Sequence, residues 1–280
     1  MRASAKAKVN LTDESDKSRI PESPRFALPF APMLHAALLA LALLAPQPPA
    51  AAPKKSTPHA TRTAQKVKGV PLIEVPTQAP GGNELAVLLS GDGGWAVTDK
   101  GLADRLTRGG IPVVGWNSLR YFLRRKKPDQ VGHDLEKVLR VYLPLWHKEK
   151  AILIGYSFGA DVMPFMVTRL PPDLAGRISL IVLMGPTGTA DFHFHPSEWL
   201  RKPSDDSQPM LPELEKLRGR KILCAYGRQE KDSFCLHLNG LADLLIRPGK
   251  HIVGKDYGPV ADWILARPAG ASSGGAVGAQ

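Results

Sequence analysis

The chain is poor in cysteine: its 280 residues include two, Cys224 and Cys235. Two thiols cannot build a Cys-rich zinc site, and no zinc-ligand spacing is present. His193 and His195 alternate along the chain, but no third ligand lies nearby, so neither a metal nor a cofactor is expected. Long apolar runs are also lacking. Met33–Ala45 holds 13 apolar-rich residues, short of the roughly 20 that span a bilayer. No internal repeat is present, which excludes a solenoid. Acidic residues are in deficit, 26 against 37 basic ones, for a net charge of +11. The excess is uneven: residues 1–68 carry +7 and the remainder +4. A mildly basic folded part behind a basic leader does not describe a nucleic-acid-binding surface.

The leader reads as an export signal. Segment 33–45 suits a secretory h-region, with Arg25 and earlier basic residues before it and Pro/Ala-rich sequence after it. Pro49-Ala50-Ala51-Ala52 is the cleavage neighbourhood; an uncleaved anchor is the alternative. A Pro/Ala/Lys-rich linker follows, so the leader and linker occupy 1–68, the globular domain 69–267, and a low-complexity tail 268–280. Export brings oxidising conditions, under which Cys224 and Cys235 are expected to pair. Closing that loop would stabilise by about 3 kcal/mol in the chain-entropy picture.

Within the domain, continuous apolar runs alternate with helical periods. Strands are expected at 85–90, 112–116, 151–155, 178–184 and 221–226, with 72–75 as an edge strand. Helices are expected at 101–108, 129–142, 158–170, about 233–245 and about 257–266. Apolar runs without polar alternation belong to a mostly parallel sheet covered on both faces by helices. The irregular stretch 186–212 is the candidate for a minimal lid.

The most specific signal is Gly155-Tyr156-Ser157-Phe158-Gly159, between a buried strand and a helix. Gly-x-Ser-x-Gly there is the nucleophile elbow of the α/β-hydrolase fold: the serine sits in a strained turn and the glycines let strand and helix close on it. In that fold the partners follow as acid, then histidine. The loop after the strand 221–226 offers Glu230 and Asp232, with Asp232 preferred. His251 stands in the loop before the last helix, where an imidazole can take and return a proton near neutrality. The oxyanion hole would use the N–H of Phe158 and one from Asp92 or Gly93, in the glycine-rich loop 90–95. No Lys-Ser/Thr follows those glycines, which excludes a Walker-type phosphate loop. Trp95, Tyr156 and Asp161 are candidate substrate contacts. Arg124-Arg125-Lys126-Lys127 is a basic run suited to solvent or to an anionic lipid surface.

Together, Ser90-Gly-Asp-Gly-Gly-Trp95, Asn117-Ser-Leu-Arg-Tyr-Phe122 with Pro128, and Gly155-Tyr-Ser-Phe-Gly-Ala-Asp-Val162 with Pro164 resemble the VirJ-type bacterial virulence proteins, a family that includes the C-terminal part of AcvB. The resemblance continues through Tyr226-Gly227, Asp232-Ser-Phe-Cys235, Gly249-Lys-His251 and Asp256-Tyr257, and covers about 85–267. It departs at Leu123, Ile252 and Val253. The resemblance implies a periplasmic hydrolase of the aminoacyl ester of lysyl-phosphatidylglycerol, with an aminoacylated phospholipid as partner. It also implies association with secretion-system components, and charge complementarity of the basic run adds peripheral contact with the membrane. Asp161 or Asp92 would hold the lysyl ammonium. A generic esterase or thioesterase, or a periplasmic binding module, is the alternative.

Overall fold

Strands such as Glu84–Leu89 and Ile178–Met184 are nearly continuous apolar runs, so both of their faces must be covered. The computed structural model describes residues 62–64, 67–79, 81–194, 206–251 and 257–267, all within the unit Ser56–Gln280. The signal-like segment 33–45, His195, Ile252, Val253, Asp256 and the tail 268–280 lie outside the described residues.

The strands are β1 (Arg62–Ala64), β2 (Leu72–Val75), β3 (Glu84–Leu89), β4 (Val113–Trp116), β5 (Lys150–Tyr156), β6 (Ile178–Met184), β9 (Ile222–Gly227) and β10 (Asp243–Arg247). They form one sheet in the order β1-β2-β4-β3-β5-β6-β9-β10. The pairs from β4 to β10 are parallel; β1 and β2 run antiparallel. A separate antiparallel pair joins β7 (Thr189–Ala190) to β8 (Gln208–Pro209) within the expected lid stretch.

Alternation along each strand sends side chains to two cores. Leu85, Val87, Leu89, Leu153 and Leu183 face one. There they meet Val131, Leu135, Val138, Leu139 and Tyr142 of α3 (Pro128–Leu145) and the apolar face of α4 (Phe158–Val167). Ala86, Leu88, Ile152, Ile154 and Val182 face the other, against α1 (Val97–Arg108) and α7 (Gly258–Ala266). Each fully buried leucine or isoleucine is worth about 1.5–3 kcal/mol, so the central strands dominate the stability of the sheet. Local signals set the helix starts. Pro128 opens α3 with Asp129 behind it, a preorganised first turn with a carboxylate on the helix dipole. Asp99 reaches back to accept from Ala96 N at 3.0 Å at the start of α1. Short helices α2 (Ser118–Phe122), α5 (Pro172–Ala175) and α6 (Leu211–Glu215) complete the set.

Two expectations need correction. Leu72–Val75 is not at the edge, because β1 pairs along it and satisfies its outer hydrogen-bonding groups. The helix expected over 233–245 is instead a short 3-10 turn, Phe234–His237, followed by β10. Asn239 and Gly240 both take positive φ, 35° and 77°, and this turn breaks any helix. The Asn-Gly pair was the sequence signal for it. The short apolar run that follows fits helix or strand by periodicity alone, and pairing with β9 decides for strand. Leu244 and Ile246 consequently stand half exposed.

Candidate active site

The site gathers at the C-terminal ends of the parallel strands, where loops of an open α/β sheet converge. β5 ends at Tyr156, and the chain turns at Ser157 with φ 50° and ψ −117° before α4 begins. A positive φ on a serine is strain, held by tight packing around it. A Cβ on Gly155 would meet Gly159 O at 2.4 Å, and one on Gly159 would meet Leu89 O at 2.6 Å and Ser90 O at 2.7 Å. The neighbouring atoms are backbone, so neither glycine has room to gain a side chain.

His251 Nε2 lies 3.3 Å from Ser157 Oγ, within reach of the hydroxyl proton. Its ring stacks near Tyr156, centroids 6.1 Å apart, and rests against Gly185, where a Cβ would come within 2.6 Å of Cε1. The residue just after β6 therefore supplies a side-chain-free floor for the imidazole. Behind the ring, His251 Nδ1 stands 3.9 Å from Glu230 Oε2. Glu230 is bent inward by its own turn: Glu230 N donates to Gly227 O at 2.8 Å, and Glu230 Oε1 accepts from Gly227 N at 3.2 Å. Asp232, the carboxylate preferred from sequence, is exposed and makes no ion pair or hydrogen bond among the described residues. The geometry thus reverses the expected order of the two acids. The next residues are anchored by a disulfide, Cys224–Cys235, which ties the 3-10 turn to β9.

The glycine-rich loop after β3 borders Ser157. A Cβ on Gly91 would meet the Tyr156 ring at 3.3 Å and Ser157 Cβ at 3.4 Å. Ser118 N donates to Ser90 Oγ at 3.0 Å, fixing the loop to α2. Phe158 N is at the first position of α4, where no intrahelical acceptor exists. Asp92 N makes no hydrogen bond among the described residues, whereas Gly93 N donates to Asp92 Oδ1 at 2.9 Å. Of the expected donors, Phe158 and Asp92 retain open N–H groups and Gly93 does not.

Three substrate-contact expectations change. Asp161 is buried at 5 % exposure. Its carboxylate accepts from Thr187 N at 2.7 Å and bonds the Thr187 hydroxyl at 2.9 Å. Burial pushes it up to about 8. It holds the loop after β6 and has no surface to offer a substrate ammonium. Trp95 packs its ring on Gly115 of β4, where a Cβ would come within 2.5 Å, and belongs to the second core. Tyr156 does border the site, but its phenol is engaged with Thr98, and burial raises its pKa. Asp92 remains exposed at the site mouth. Lys126 is committed: its Nζ lies 4.3 Å over the Tyr121 ring, and its N–H donates to Phe192 O. Leu123, Arg124 and Arg125 are exposed beside it.

A strand-turn-helix serine at positive φ, a histidine one hydrogen bond away and a doubly wound parallel sheet define an α/β-hydrolase fold. Solved structures of the same fold include Est1E from Butyrivibrio proteoclasticus, 12% identical over 73% of this chain and 95% of that one, with TM-score 0.52. Proline iminopeptidase from Mycobacterium smegmatis is 8% identical over 74% of this chain and 95% of its own, with TM-score 0.51. Such identities show a shared fold. No curated protein matches the chain by sequence. The family described as bacterial virulence protein (VirJ) matches residues 83–270, and the chain belongs to it.

Proposed function

We propose that the protein is a periplasmic serine hydrolase that cleaves the aminoacyl ester of lysyl-phosphatidylglycerol. The observation that carries the catalytic part is the 3.3 Å approach of His251 Nε2 to the strained Ser157 hydroxyl. Glu230 stands behind His251 Nδ1. In this reading His251 takes the serine proton as Oγ attacks the lysyl carbonyl. The oxyanion is met by the N–H groups of Phe158 and Asp92, and the imidazolium then protonates the departing glycerol oxygen. Water, deprotonated by the same histidine, releases lysine from Ser157. Glu230 holds the imidazole in the tautomer that presents Nε2 to serine.

The substrate rests on membership of the VirJ family and on the resemblance to AcvB. Supporting features are an exposed carboxylate at Asp92 for the lysyl ammonium and the exposed Arg124 for lipid phosphates, beside Arg125, which pairs with Asp206. The Cys224–Cys235 bridge suits an oxidising compartment. No helix among the described residues is long and apolar enough to cross a membrane. The exposed basic side chain at Arg124 suits electrostatic contact of the domain with the bilayer.

Two measurements test the reading. A fluorophosphonate probe should label the folded protein, and Ser157→Ala should abolish labelling. Vesicles containing lysyl-phosphatidylglycerol should release free lysine with the wild type and none with Ser157→Ala. Labelling with cleavage of simple esters but no lysine release would replace the substrate with another ester or thioester. Absence of labelling would leave a binding module.

A further inference from the structure

We infer that Arg247 is a positioning residue that holds the acid and the base of the site in register. The inference deepens the serine-hydrolase reading and rests on it. Arg247 is the last residue of β10 and is 1% exposed. A buried guanidinium costs several kcal/mol unless its donors and charge are met. Here both terminal nitrogens are met by the loops that carry the site. One terminal nitrogen donates to Pro248 O at 2.8 Å and the other to Lys250 O. Both carbonyls belong to the short turn that ends in His251. The second nitrogen also stands 4.0 Å from Glu230 Oε1.

The arrangement has a direction. Glu230 Oε1 faces Gly227 N and the guanidinium, which leaves Oε2 toward His251 Nδ1. Backbone bonds knit the same two loops: Arg228 N to Arg247 O at 2.8 Å and Gln229 N to Gly249 O at 2.9 Å. The loops touch with no side chain between them, since a Cβ on Gly227 would meet Lys250 O at 2.1 Å. One planar fork therefore holds the carbonyls beside the histidine and sets its charge next to the carboxylate behind it. A lysine ammonium is a point charge on a narrower reach and cannot serve that set together. A residue needed for folding alone would have no reason to aim its charge at the acid.

The test uses the full chain with Arg247→Lys and Arg247→Met. Readouts are steady-state hydrolysis of p-nitrophenyl acetate, the rate of fluorophosphonate labelling, and the thermal midpoint, all kinetics being run below every midpoint. Arg247→Lys should lower kcat and the labelling rate together by about 10²-fold, the scale of a small misplacement of reacting groups, with KM within about twofold. Arg247→Met should lose more. If Arg247→Met does not fold, Arg247→Lys decides alone. Labelling of folded Arg247→Lys at the wild-type rate would overturn the inference, as would a loss seen only in KM. The two readings fail separately: an unlabelled wild type removes the hydrolase itself, whereas a labelled wild type with an equally labelled Arg247→Lys removes only the role of Arg247.

Discussion

The two halves of the site are built from different materials. Around Ser157 the parts are backbone: Gly155, Gly159 and Gly91 let carbonyls and turns close in around the serine. Around His251, glycines at 185 and 227 also clear room, but side chains carry the charge, with Glu230 and Arg247 between the ends of β9 and β10. A backbone-built half is specified by the residues that must be missing, and its tolerance is steric. A side-chain-built half is specified by charge and hydrogen bonds, so it is sensitive to isosteric changes that leave the fold intact.

The largest expected effect lies on the side-chain half. Glu230→Gln preserves shape but removes the charge facing Nδ1 and allows the wrong tautomer. Hydrolysis of a soluble ester should fall by about 10⁴-fold. Asp232→Asn, on an exposed group two residues away, should leave the rate within about twofold. A loss confined to Asp232→Asn would return the acid to Asp232, and equal losses in both variants would overturn the preference for Glu230. The contrast matters because neither change touches the Ser157 turn.

The backbone half should break differently. Gly159→Ala forces a methyl group against Leu89 O and Ser90 O, backbone atoms of the strand and loop beside the elbow. Overpacking of this kind costs about 3 kcal/mol. Urea unfolding should show a lower midpoint with an unchanged slope. An unchanged midpoint would mean that the elbow can relax, and the steric account of this half would fail.

The same division explains what could be read from sequence. The parallel sheet, its two helical layers and the elbow are written in apolar runs and in glycines at fixed offsets, which are local signals. The pairing of Cys224 with Cys235 followed from their scarcity and the expectation of export. Choosing between Glu230 and Asp232 required the direction of a turn, set by Glu230 N on Gly227 O, and no local pattern encodes it. Arg247 drew no attention in the sequence, because its burial depends on carbonyls that are near it only after β10 pairs with β9. Asp161 drew attention one helical turn after Ser157, yet its partner, Thr187, is 26 residues away in sequence. That distance turned an apparent substrate contact into a structural one.

Asp161 supplies the smallest effect, on the backbone half. Burial is the main cause that pushes its carboxyl up to about 8, against hydrogen bonds from Thr187 and Gly188 that pull it down, with Asp191 adding to the rise. In the unfolded chain an aspartate titrates near ~3.9. Between those values the native protein holds a proton that the unfolded chain has released. Folding then takes up a proton, and stability falls as pH rises through the window. The contribution is complete below the unfolded value and lost once pH passes about 8. Asp161→Asn keeps the shape and the bond from Thr187 N but cannot ionise. Its unfolding midpoint should vary less with pH across the window than the wild type's, while ester hydrolysis at neutral pH stays within about twofold. A wild-type midpoint that climbs with pH there, with the slope removed by Asp161→Asn, would mean that Asp161 is held ionised by Thr187. The backbone half would then contain a buried charge after all, and the contrast with the Glu230–Arg247 half would narrow to geometry.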